Sequence, residues 1–61
     1  MSNRQQHILD LFEIRGSVTS SELAFETGAP EPSIRRDIQV LRRLGHNISF
    51  ASPNGVYRLG V

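Results

Sequence analysis

All seven basic residues of this chain are arginines, and Arg35, Arg36, Arg42 and Arg43 crowd into one short stretch. A guanidinium offers a planar fork of N–H donors that matches a phosphate, or the O6 and N7 edge of a guanine. Gln39, placed between the two arginine pairs, can meet an adenine edge at two points. At about 100° per residue, Pro32, Arg36, Gln39 and Arg43 fall on one face of a helix, with Arg35 and Arg42 at its flank. Arg36 to Arg43 spans two turns, about 10 Å at 1.5 Å per residue, enough to read a few base pairs. Ser33 stands near the start of the same helix. Ser17, Thr19, Ser20 and Ser21 could bring hydroxyls and helix-start amides to a phosphate, and Asn54 and Arg58 are further polar candidates near the C-terminus.

Other chemistries fit the sequence less well. There is no cysteine, so disulfides and thiolate zinc sites are excluded. His7 and His46 are isolated; His7 with Asp10 gives two ligands where a metal site needs three or four, so both read as surface residues. No serine sits in a strained nucleophile turn, and no glycine-rich loop cradles phosphates. The sequence therefore predicts neither enzyme activity nor a metal or cofactor. The arginines also have an ordinary reading as a solvated surface. Glu31 and Arg35 form an (i, i+4) pair worth a few tenths of a kcal/mol, and Arg42 and Arg43 suit the negative end of a helix dipole. Arg42 is assigned that structural role.

The elements that must hold these residues are legible from punctuation and periodicity. A chain of 61 residues is one domain, 1–61, which needs nearly all its apolar side chains for its core. A first helix spans about 3–15, with Asn3 as cap, Gln6 as its reciprocal partner, Ile8, Leu11 and Phe12 along one face, and Gly16 as stop. Ser17-Val18-Thr19 is a short strand. Thr19-Ser20-Ser21-Glu22 is a capping box that opens a second helix over 20–27, with Leu23, Ala24 and Thr27 inward. Gly28-Ala29-Pro30 makes a turn. A third helix covers about 31–44, its apolar stripe formed by Ile34, Ile38, Leu41 and Leu44. Strands at 48–51 and 56–59 flank the turn Ser52-Pro53-Asn54-Gly55 and form a hairpin, whose aromatics are expected in the core. Phe25 falls off the inner side of the second helix.

Helix, short strand, helix, tight turn, helix and hairpin is the order of a winged helix-turn-helix: mainly α, three helices, with a small β-hairpin. The residues carry a resemblance as well. Thr19-Ser-Ser-Glu-Leu-Ala24, Gly28 and Ser33-Ile-Arg-Arg-Asp-Ile38 resemble the helix-turn-helix of DeoR-family bacterial repressors. Leu41-Arg-Arg-Leu-Gly45 with Gly55-Val-Tyr-Arg-Leu59 is similar to the winged N-terminal domain of biotin-repressor-type regulators. The resemblance implies that the third helix enters the major groove and that the wing lies on the backbone or minor groove. It matches Arg35 and Arg36 to the family's paired arginines, Ser33 to a hydroxyl near the helix start, and Ile34 and Ile38 to core positions. The sequence departs where Pro30 replaces the usual hydroxyl cap, where Pro32 enters the first turn, and where the wing has Arg58 as its single basic residue. Such regulators usually carry a second domain for effector binding and dimerisation, where this sequence stops, so effector sensing is not expected.

The resulting expectation is a small cytoplasmic transcription regulator that binds double-stranded DNA in a sequence-specific way, of the compact kind that phages and mobile elements encode. Its DNA-contact candidates are Ser20, Ser21, Pro32, Ser33, Arg35, Arg36, Gln39, Arg43, Asn54 and Arg58. One such module binds weakly, so a homodimer on two half-sites is expected, with Leu9, Ile14 and Val40 as candidate association surface. No signal peptide or membrane span is apparent. The competing expectation is a protein-interaction module, a small inhibitor or adaptor of a host regulator or polymerase, favoured by a net charge of only +1 and by the lysine-free wing.

Overall fold

The computed structural model describes residues 2–51 and 55–60. The elements run α1 (Asn3–Arg15), β1 (Ser17–Thr19), α2 (Ser20–Thr27), α3 (Glu31–Arg43), β2 (Ile48–Ala51) and β3 (Val56–Leu59). Three helices thus pack with a small antiparallel sheet, an arrangement consistent with a winged-helix-like one. No helix among the described residues is long and apolar enough to cross a membrane.

Helix α1 starts at Asn3 as expected, but its cap is Ser2, one residue before the expected one. Ser2, in extended conformation, accepts from the Gln5 amide at 3.1 Å, and the Gln5 side chain accepts from the Ser2 amide at 3.3 Å. Asn3 and Gln6 have the same spacing as Ser2 and Gln5, so the sequence offers two boxes in adjacent registers. Asn3 is already helical, and Gln6 instead donates to Asp10 at 3.0 Å. The capping box at Thr19 and Glu22 forms as read: the Glu22 amide donates to Thr19 Oγ1 at 3.0 Å and the Thr19 amide to Glu22 Oε1 at 3.1 Å. Each box satisfies two amide donors that a helix start otherwise leaves open.

Helix α3 ends at Arg43, and Leu44 is its cap rather than the last rung of the apolar stripe. The His46 amide reaches back to the Leu41 carbonyl at 3.0 Å and the Gly45 amide to Arg42 at 3.1 Å. This pair of bonds is a Schellman closure and needs the left-handed residue supplied by Gly45, φ 103°. The closure turns Leu44 outward, where it is 58% exposed.

The sheet has the order β1-β3-β2, so the short first strand joins the hairpin. Val18 lies opposite Tyr57, and Tyr57 opposite Phe50. Tyr57 is buried, as expected of a strand aromatic, but Phe50 is 53% exposed. Phe50 stands on an edge strand, covered on one side by the Tyr57 ring at 5.0 Å and open on the other. The core gathers Ile8, Leu11 and Phe12 from α1, Val18, Leu23, then Ile34, Ile38 and Leu41 from α3, and Ile48. Leu9 also belongs to it, which removes it from the candidate association surface. Helix α1 meets α2, α3, β1 and β3 together, so a broader face is covered than a single apolar stripe. Val40 is half-buried and Ile14 remains exposed.

Candidate nucleic-acid interface

Helix α3 is clamped from behind. Its inner stripe, Ile34, Ile38 and Leu41, is essentially solvent-free, and burying each such side chain contributes roughly 1.5–3 kcal/mol. Beside that stripe lies Asp37, only 4% exposed. Its carboxylate accepts a two-point bond from the Arg4 guanidinium, through Nε and through Nη2 at 3.1 Å, and a longer bond from Gln5 Nε2 at 3.4 Å. That hydrogen bonding raises the Arg4 pKa above its ordinary value; desolvation opposes the rise, and the Asp37 charge adds to it. The Ser-Ile-Arg-Arg-Asp-Ile stretch therefore divides by direction. Ile34 and Ile38 fill the core, Asp37 anchors α1, and Arg35 and Arg36 point to solvent.

The outer face carries Pro32, Arg36, Gln39 and Arg43, all exposed, with exposed Arg35 at one flank and half-buried Ser33 at the other. Among the described residues, the side chains of Arg35, Arg36, Arg43, Arg58 and Gln39 make no ion pair or hydrogen bond; Arg58 is met only at its backbone carbonyl, by the Ser49 hydroxyl at 3.4 Å. The Glu31–Arg35 pair suggested by spacing does not form. Glu31 instead accepts from the Ser20 hydroxyl, Oγ to Oε1 2.9 Å, which ties the start of α2 to the start of α3. Arg15 answers Glu22 at 3.6 Å and Glu26 at 3.5 Å, so much of the acidic charge of α2 is matched within the fold. Arg42 is separate from the other arginines of α3: its Nε donates to the Ile48 carbonyl at 2.8 Å, holding the hairpin to the helix end.

The remaining candidates are placed unevenly. Ser21 is exposed in the first turn of α2, and the Ser20 hydroxyl proton is directed at Glu31. Arg58 lies on the central strand β3, in register with Ser17 and Ser49, with its side chain exposed on the face opposite Tyr57. Helix α3 meets the sheet through β2, so Arg58 sits one strand away from the helix row and is not continuous with it. Asn54 lies outside the described residues.

Two features of the interface were not visible in the sequence. Arg4 and Asp37 are 33 positions apart, and Ser20 and Glu31 are 11 apart. Neither separation is a local spacing that signals contact. Chemically, the site is a rigid helix with free guanidinium and amide groups along about two turns, which suits anionic or hydrogen-bonding surfaces that admit a helix. The chain has no significant match among family models, curated proteins or solved structures.

Proposed function

We propose that the protein is a sequence-specific DNA-binding transcription regulator with a winged helix-turn-helix architecture. In this reading α3 lies in the major groove and the β2–β3 hairpin is the wing. The observation that carries it is the contrast among the arginines. Arg4, Arg15 and Arg42 are engaged inside the fold, whereas Arg35, Arg36 and Arg43 have no side-chain partner among the described residues and lie on one exposed side of a helix whose back is locked to the core. Free guanidiniums on a rigid element bind phosphate and guanine without first breaking an internal pair. Arg36, Gln39 and Arg43 are assigned to the groove, Arg35 and Ser21 to the flanking phosphates, and Arg58 to the backbone.

The test is a titration of the isotopically labelled protein with a duplex of about 20 base pairs, a length chosen to cover two major-groove half-sites, at low and then higher salt. Amide shifts at Ser21, Ser33, Arg35, Arg36 and Gln39 that fade with salt are expected. With Arg35 and Arg58 neutralising two phosphates per protomer, log affinity should fall against log salt with a slope of roughly −2. Arg36→Ala should weaken binding while leaving the thermal midpoint in place.

A protein-docking module is the second reading. It draws on the net charge of +1 and on Phe25 and Ile14, which are 84% and 77% exposed. An unperturbed low-salt spectrum in the same titration selects it.

A further inference from the structure

Arg4 is engaged along one edge only. Its Nε–H and one Nη2 hydrogen go to the Asp37 carboxylate. The Nη1 hydrogens and the second Nη2 hydrogen have no acceptor among the described residues. The guanidinium fork is planar and rigid, so the bond to Asp37 also fixes the direction of these open donors, away from the carboxylate. The Arg4 side chain is 41% exposed and that of Asp37 only 6%, so the accessible part of the pair is the guanidinium. Its place beside α3 follows from the order of the chain. At about 100° per residue, Arg35 and Asp37 lie on opposite sides of Arg36. Arg35 thus borders the exposed row of Pro32, Arg36, Gln39 and Arg43 on one side. Arg4, held by Asp37, stands toward the other, where Ser33 comes one turn before Asp37. The α3 side chains on that second side, Ser33, Val40 and Leu44, carry no charge; the cation there comes from α1.

We propose that Arg4 is a DNA-backbone contact, giving its open Nη edge to a phosphate of the strand that borders the Ser33 side of α3, and that Asp37 is the positioning residue that holds it there. The proposal rests on the DNA-binding reading above. A helix in the major groove lies between two phosphate strands, and contacts to them fix its register. Arg35 serves one strand and Arg4 the other. A guanidinium can give one edge to a carboxylate and another to a phosphate, so Arg4 binds without breaking its internal pair. Ordering a long side chain costs free energy at binding; folding has already ordered this one. The Arg4–Asp37 pair carries no net charge, so the contact adds direction and leaves the salt slope at the value set by Arg35 and Arg58.

Wild type, the double variant Arg4→Ala/Asp37→Asn and Arg36→Ala should be compared on a duplex selected from a random-sequence pool, and on copies of it in which one phosphate at a time is a neutral methylphosphonate. The double change conserves net charge and leaves no unpaired buried carboxylate; thermal melts confirm that it folds. Wild type should lose about threefold or more in affinity at one phosphate, or at two neighbours, where the double variant loses nothing. The double variant should bind the unmodified duplex more weakly by a similar factor. A merely structural role lowers affinity for every duplex alike and keeps each phosphate's contribution; that result overturns the proposal, as does equal binding by wild type and double variant. The wild type gives a second reading that needs no variant. Its isotopically labelled Arg4 Nη signals should shift on adding the unmodified duplex, and signals that do not move overturn the proposal. If Arg36→Ala weakens binding while Arg4 fails these tests, DNA binding through α3 stands and the role of Arg4 alone has failed. If Arg36→Ala binds as wild type, the DNA-binding reading fails and the proposal falls with it.

Discussion

At the scale of single residues, the arginines separate by the partners they find. Arg42 and Arg43 are adjacent and chemically identical, yet one bonds the Ile48 carbonyl and the other has no side-chain partner among the described residues. The former is expected to matter for the attachment of the hairpin, the latter for binding. Asp37 shows the opposite case, an ionisable group inside the core margin. Arg4→Ala leaves that carboxylate buried with only the 3.4 Å bond from Gln5, whereas Asp37→Asn keeps an acceptor for Arg4 and removes the buried charge. Thermal melts should therefore show a larger loss of midpoint for Arg4→Ala than for Asp37→Asn. The pair contributes no pH dependence from its cationic side. The folded-state pKa of Arg4 is raised, so its contribution is present at every pH below the unfolded value and is lost only at extreme alkalinity.

At the scale of elements, helix ends govern the geometry of the interface. The α2–α3 turn depends on Gly28, which is left-handed at φ 71°, ψ 17° and donates to the Ala24 carbonyl at 2.9 Å. Nothing lies within 4 Å of where a Cβ would stand, so the penalty for a side chain is conformational alone. Gly28→Ala should cost about 1–2 kcal/mol, and Gly28→Asn less, because asparagine tolerates this region; chemical denaturation at constant m-value measures both. Thr19→Ala removes the α2 cap and should cost about 1 kcal/mol, seen as a midpoint lower by roughly 4–8 °C in a domain of this size. Because Glu22 also forms an ion pair with Arg15 at 3.6 Å, the loss of Thr19 should show first at the α1–α2 contact.

For the whole molecule, the small size makes each core side chain count. Total stability of roughly 3–9 kcal/mol is ordinary at this length, and Leu23→Ala should cost about 2–5 kcal/mol. Leu23 is fully buried and is the single fully buried apolar side chain of α2. The variant should consequently melt well below the wild-type midpoint. A variant that keeps a cooperative melt near the wild-type midpoint would show that the core repacks around the gap. Arg36→Ala, in contrast, changes the outer surface and should leave the melt unchanged.

Much of this architecture was legible in the residues themselves. The glycines at 16, 28 and 45, the Thr19–Glu22 box and the 3.6-residue spacing of Ile34, Ile38 and Leu41 are local signals, and local backbone energetics decide where helices begin, end and face. The bounds of α2 and both hairpin strands follow from them, as does the solvent exposure of Arg36, Gln39 and Arg43. Tertiary structure alone decided which competing local options were realised. Ser2 rather than Asn3 caps α1; Leu9 is buried because four elements surround α1; Leu44 and Phe50 are exposed because a helix closure and a sheet edge leave them uncovered. The same holds for the charges. Spacing paired Glu31 with Arg35, but the approach of α2 gave Glu31 to Ser20, and the approach of α1 gave Asp37 to Arg4. Local sequence sets which side chains share a face; only packing brings distant partners within hydrogen-bonding reach, and that reach determines which arginines remain free to bind.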